Sequence, residues 1–190
     1  MANRTKVEIM ETFEEILREK QIENINVKDI TDKCGLNRKT FYYYFSDIDD
    51  LMNKTFDYEV KYYIKNVNSE SSERSAVIGF FDMVYKNKEI VYHIYNSSRH
   101  EHLTTFIETA LFNAIREASE RYKLEYNVTD RQLDLASQAL AAIVSSFIIK
   151  WVDDGMETDI KLLVDETYVI TKGLMKYMVE NADEANKNNQ

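Results

Sequence analysis

Apolar residues recur at three- and four-residue intervals along most of the chain, the period of an α-helix lying on a core. Val7, Met10, Phe13 and Leu17 mark an amphipathic helix over residues 4–20, followed by the polar connector QIENIN. Asn26, with Asp29 three residues on, forms a capping-box-like start for a short helix in VKDITDKC, and Gly35 ends it. Asn37 suits the N-cap of the next helix, 38–45. Two helices of about two turns, joined by three residues that include glycine, make a helix-turn-helix. A fourth helix begins within Ser46–Leu51 and runs to about residue 66. Asp47, Asp49 and Asp50 in its first turn complement the positive end of its dipole. The stretch NVNSESSERS then reads as a linker.

Helical patterns continue beyond it. One covers residues 73–86, with Phe80, Phe81 and Val84, and another covers 88–97, with Ile90, Ile94 and Tyr95. SSRHEH reads as a loop or a helix start. Leu103, Phe106, Ala110, Ala114 and Ala118 form a stripe for a helix over 101–122. Thr129 is placed to cap a long helix that ends at Asp154–Gly155, and Thr158 to cap a last one running to about residue 181. In the first of these, Ala136, Leu140, Ile143, Phe147 and Trp151 share a face, and Leu133, Ala139, Ala142, Ser146 and Ile149 add a second. In the last, Ile160, Leu163, Val164, Thr167, Ile170, Leu174 and Met178 share a face that Leu162, Val169 and Met175 widen. A helix apolar over more than one stripe packs on two partners, and a second copy of the chain is a reasonable second partner.

Composition fits this reading. Pro is absent and there are four Gly, too few turn residues for an all-β chain, while 44% apolar residues support a core. No run looks long and apolar enough to span a membrane, the first residues lack the apolar stretch of a signal peptide, and the single cysteine, Cys34, suits a reducing compartment. A cytoplasmic protein is expected. Net charge of −9 argues against a nucleic-acid partner until its distribution is considered. Residues 1–66 carry 11 basic and 13 acidic residues, net −2, whereas residues 67–190 carry 13 and 20, net −7. From Lys33 to Phe45 there are three cations and no acid.

That acid-free window contains five consecutive aromatics, Phe41 to Phe45. At about 100° per residue, Phe41 and Phe45 fall on one face, expected to bury against Ile30, Cys34 and Leu36. Lys39 and Tyr43 point the other way with Thr40 beside them, and Tyr42 and Tyr44 take the flanks. A helix cannot bury every side in so small a module, so the three tyrosines remain outside. A second helix of this kind lays its N-terminal residues in the major groove of DNA. Arg38 and Lys39 can reach guanine edges or phosphates, and Thr40 and the tyrosine hydroxyls can bond phosphate oxygens.

The segment VKDITDKCGLNRKTFYYYFSDIDDLM resembles the signature of TetR-type bacterial transcriptional regulators. The resemblance lies in Ile30, the small residue before Gly35, Leu36, the Thr-Phe-Tyr-x-Tyr-Phe run and the acidic pair before Leu51. It is similar in particular to a subgroup that includes regulators of dihydroxyacetone kinase operons. The resemblance implies an all-α fold of about nine helices: a three-helix DNA-binding domain over residues 1–48, an effector-binding and dimerising domain over 49–182, and a flexible tail over 183–190. It implies a homodimer made by the last two long helices, a palindromic operator, and DNA affinity controlled by a small molecule or a partner protein, with repression the expected outcome. Carried over by position, Lys28, Arg38, Lys39, Thr40, Tyr42 and Tyr43 would contact DNA, with Tyr44 nearby. Many members carry a phosphate-binding lysine where this chain has Ile48 between two acids, and Lys54 is the next cation. That departure motivates an alternative, a co-regulator that acts by binding another protein and touches DNA weakly alone.

Tyr85, Tyr92, Tyr95, Phe106, Phe147 and Trp151 are candidates to line an effector pocket, although aromatics at helical spacing also build cores. His93, His100 and His102 lack the spacing of a metal site, and Cys34 has no partner cysteine, so neither metal nor cofactor is expected. No phosphate-cradling glycine loop, nucleophile elbow or metal motif supports catalysis.

Overall fold

The computed structural model describes residues 2–66 and 73–188, with side chains over 4–61 and 78–188. Among these residues there are ten α-helices and no strand: α1 (Ala2–Glu19), α2 (Val27–Cys34), α3 (Arg38–Tyr44), α4 (Ile48–Asn66), α5 (Glu73–Lys86), α6 (Lys88–Tyr95), α7 (His100–Ser119), α8 (Asp130–Asp153), α9 (Ile160–Thr171) and α10 (Leu174–Asn188). The expected linker lies mostly outside the described residues. The chain divides into two compact units, Met1–Asn66 with Lys86–Phe106, and Val67–Tyr85 with Ile107–Gln190. The first unit therefore recruits α6 and the start of α7 in addition to the N-terminal helices.

In the first unit, α1 buries Ile9, Met10, Phe13, Ile16 and Leu17, packing on α2, α4 and α6. Asn26 caps α2 by accepting the Lys28 and Asp29 N–H groups, and Asp29 returns a bond to the Asn26 N–H at 3.1 Å. Gly35 follows with φ +66°, a left-handed turn that a β-carbon would strain. It lets the Leu36 N–H reach the Thr31 carbonyl at 2.9 Å and swings the chain into α3.

In the second unit, Thr129 and Gln132 form a capping box at the start of α8. Leu133 and Ala136 of α8 pack on Met175 and Val179 of α10. Arg116, near the end of α7, donates to Glu120, Asp130 and Asp134 and so ties α7 to the first turn of α8.

Four expectations need correction here. The last helix is two helices: Gly173 at φ +80° breaks it, and the Tyr177 N–H bonds the Gly173 carbonyl to start α10. Its N-cap is Asp159, which accepts the Lys161 and Leu162 N–H groups, and not Thr158. The segment expected as a flexible tail is helical through Asn188. Asp183 is buried, accepting from the Asn127 N–H and from Lys187, and Asn186 bonds Gln132 and the Asn127 carbonyl. Finally, α8 is long and apolar enough by composition to cross a membrane. Its buried residues, from Leu133 to Val152, give it the pattern of a core helix instead.

The buried faces of these helices also differ from expectation. On α8 the buried stripe is Leu133, Ala136, Ser137, Ala141, Val144, Ser145, Ile148, Trp151 and Val152, while Leu135 and Ile143 are exposed. On α9 and α10 it is Val164, Thr167, Thr171, Met175 and Val179, while Leu162, Val169 and Ile170 are exposed. The register is rotated because apolar residues surround these helices on most sides, so spacing alone selects no unique face.

Candidate nucleic-acid interface

The helix α3 has only seven residues and owes its place to both ends and one face. At its start, Asn37 accepts the Thr40 N–H at 2.9 Å and the Thr40 hydroxyl at 3.1 Å. At its end, Phe45 is extended and its N–H closes on the Phe41 carbonyl. Phe41 and Phe45 are fully buried with their rings 5.6 Å apart, as the spacing indicates, and Ile30 is buried too. Cys34 and Leu36 are only partly covered.

The opposite side of α3 is open. Tyr42 is 57% exposed and Tyr43 is 77% exposed, while Tyr44 is half-buried, edge-on to Tyr43 at 4.8 Å. Lys28, Arg38 and Lys39 are exposed, and among the described residues no ion pair involves any of them. Unpaired cations on the rim of a capped, anchored short helix suit phosphate and base-edge contacts. Thr40 is half-buried, and its hydroxyl proton is used by the cap, which leaves its oxygen as an acceptor.

The start of α4 puts its acids to structural use. Asp47 accepts the Asp50 N–H at 2.7 Å and Asp50 accepts the Ser46 N–H at 2.9 Å. Burial raises the Asp50 carboxyl, but the bonds from Lys54 and Ser46 together outweigh it and hold the group below the usual carboxylate range. Lys54 donates to Asp50 at 2.8 Å and to the Tyr44 carbonyl at 3.2 Å, and its ammonium lies 5.6 Å from the Phe45 ring. It closes the C-terminal end of α3, where a cation opposes the negative pole of the helix dipole.

A family model for the tetR family of bacterial regulatory proteins matches residues 9–55, and one for a transcriptional regulator C-terminal region matches residues 72–173. This chain belongs to the TetR family. No curated protein sequence matches it. Solved TetR-like structures share its fold. The dihydroxyacetone kinase operon activator DhaS is similar over 94% of this chain and 98% of its own, with a TM-score of 0.68 at 15% identity. A TetR-family regulator from Syntrophomonas wolfei is similar over 92% and 96%, with a TM-score of 0.62 at 18% identity. FadR from Bacillus subtilis, in complex with stearoyl-CoA, is similar over 91% and 97%, with a TM-score of 0.55 at 14% identity. The family and these relatives are transcriptional regulators.

The TetR-family match at residues 9–55 spans α2, α3 and the start of α4, the region just described. The six pocket candidates divide between the units. Tyr92, Tyr95 and Phe106 belong to the first, where Phe106 packs on Phe56 at 4.8 Å. Tyr85, Phe147 and Trp151 belong to the second. There Trp151 is buried, stacked by Tyr85 at 5.9 Å, and its indole N–H donates to the Thr158 carbonyl. Trp151 thus serves the core. His93, on α6, bonds the Leu17 carbonyl at 2.7 Å through Nδ1 and satisfies an end of α1, with no His/Cys/acid cluster suited to a metal among the described residues. Burial and neighbouring acids raise the Cys34 thiol pKa, which opposes reactivity.

Sequence reasoning missed Arg99. From the turn before α7 it bonds Asp49 of α4 at 2.5 Å. The partners are 50 residues apart, so no local pattern could have paired them.

Proposed function

We propose that this TetR-family chain acts as a homodimer that binds a palindromic operator and represses transcription. Paired α3 helices enter major-groove segments about 34–36 Å apart. Arg38 and Lys39 reach base edges or phosphates, while Lys28, Thr40, Tyr42, Tyr43 and Tyr44 position the helix on the backbone. The observation that carries this reading is the two-sided character of α3: Phe41 and Phe45 wholly buried, and Tyr42, Tyr43 and the unpaired cations exposed.

Dimerisation through α8 with α9 and α10 is supported by apolar side chains left outside the second unit's core. These are Leu135 and Ile143 on α8, Leu162, Val169 and Ile170 on α9, and Tyr177 on α10. A small-molecule effector or partner protein changes DNA affinity by binding two arrangements of the dimer unequally. The stearoyl-CoA bound by FadR supports control by a small-molecule effector without fixing the effector's chemistry.

Fluorescence anisotropy on a duplex from the protein's own upstream region, against a random duplex over a salt series, tests this reading. Tight binding to the native duplex with a steep salt slope is expected. Equal, weak binding to both favours the second reading, a co-regulator working through another protein. Ile48 in the place of the common lysine, at a first turn rich in acids, is what motivates that reading.

A further inference from the structure

We propose that Arg99 is a positioning residue for DNA binding, holding and neutralising Asp49 at the start of α4. The inference rests on the DNA-binding reading above. Three carboxylates crowd the chain just after α3. Asp47 is used by the Asp50 N–H, and Asp50 is used by Ser46 and Lys54. Asp49 is 45% exposed at its side chain, and among the described residues its one ionic partner is Arg99. Without Arg99 it would present a bare negative charge five residues beyond Tyr44, in the first turn after a helix that must approach phosphates.

The turn that supplies Arg99 is itself built. Ser97 donates to the Ile94 carbonyl and accepts the Arg99 N–H. The Ser98 N–H and hydroxyl both reach Glu23, three residues before the α2 cap. One turn thus holds the segment ahead of α2 and the first turn of α4, the two ends of the helix-turn-helix. The pair is half-buried, and an ion pair still open to water contributes modestly to stability, so the effect of Arg99 falls mainly on the field and posture that DNA meets.

The test measures binding of wild type, Arg99→Ala, Arg99→Lys, Asp49→Asn and the Arg99→Ala/Asp49→Asn double variant. The probes are the upstream duplex and a random duplex at low salt, with thermal unfolding followed in parallel. Arg99→Ala is expected to bind both duplexes about tenfold more weakly, with little change in Tm. Arg99→Lys is expected to stay near wild type. The double variant should recover to within about twofold of wild type, because the carboxylate needing compensation is gone. Wild-type affinity in Arg99→Ala overturns the inference. So does a double variant as weak as Arg99→Ala, which would mean that Arg99 touches phosphate itself or only holds the fold. If Arg99→Ala fails to fold, loss of binding in the folded Arg99→Lys variant without recovery by Asp49→Asn in that background also overturns it. Wild type that binds neither duplex sinks the DNA-binding reading itself, a result distinguishable from either.

Discussion

The helix-turn-helix and the C-terminal helices α8 to α10 are built by opposite means. In the first, both helices are short and narrowly amphipathic: Asn26 and Gly35 bound α2, Asn37 starts α3, and extended Phe45 ends it. In the second, the helices are apolar around much of their circumference, and the core uses only part of what they offer. The head reserves its exposed side for charge and hydroxyls, whereas the C-terminal helices reserve theirs for oil. A surface of the first kind suits a hydrated polyanion, and one of the second kind suits another protein surface.

Substitutions can break this contrast, beginning with the largest effect. Phe41→Ala removes a fully buried ring from beneath α3 and should cost about 3–5 kcal/mol in denaturant unfolding, while Tyr43→Ala on the same helix should stay within about 0.5 kcal/mol. Equal losses would show that α3 is not two-sided. Ile170→Glu places a charge on the exposed apolar face of α9 and should weaken the proposed dimer by about 2–3 kcal/mol, read by sedimentation as a shift toward monomer. An unchanged sedimentation profile would put the interface elsewhere. Arg38→Ala should lose about 1–3 kcal/mol of DNA affinity and relax base preference at one position. Unchanged affinity and preference would mean that the reader helix is misassigned.

The smallest effect concerns pH. Burial, reinforced by the nearby Glu59 carboxylate and opposed by Arg18, pushes Glu14 up from 4.5 to about 7. Since the folded pKa lies above the unfolded one, the native state holds the extra proton between these values. Stability from this group is full below about pH 4.5 and is lost as pH rises through about 7. Glu14→Gln should therefore gain stability at pH 8 relative to pH 5, by about 1 kcal/mol because the carboxyl keeps some contact with water. Parallel pH profiles for wild type and variant in thermal melts would refute the assignment.

The head was largely legible because its signals are local. A cap, a left-handed glycine and a four-residue spacing of phenylalanines each act within one or two turns, so Phe41 and Phe45 could be placed inside and Tyr42 and Tyr43 outside. The C-terminal helices were legible as helices but not in rotation. Ile143 and Ile170 were expected on core faces and lie exposed, while Val144, on neither expected face, is buried, and only tertiary packing made that choice. The Gly173 break was hidden because the apolar spacing runs on through it. Links between distant segments, such as Arg99 to Asp49 and Asp183 to Asn127, carry no sequence period at all.

A helix of seven residues lies below the length at which helices persist in water, because nucleation costs more than so few hydrogen bonds return. The helix α3 therefore has no independent existence. It forms only as Phe41 and Phe45 dock, and its shape is inherited from α1 and α2 and from the lysine that closes its far end. A peptide cut from residues 26–45 would carry the whole recognition sequence and yet be a coil. The surface proposed to read DNA is a property of the folded core, lent to a short stretch of its exterior.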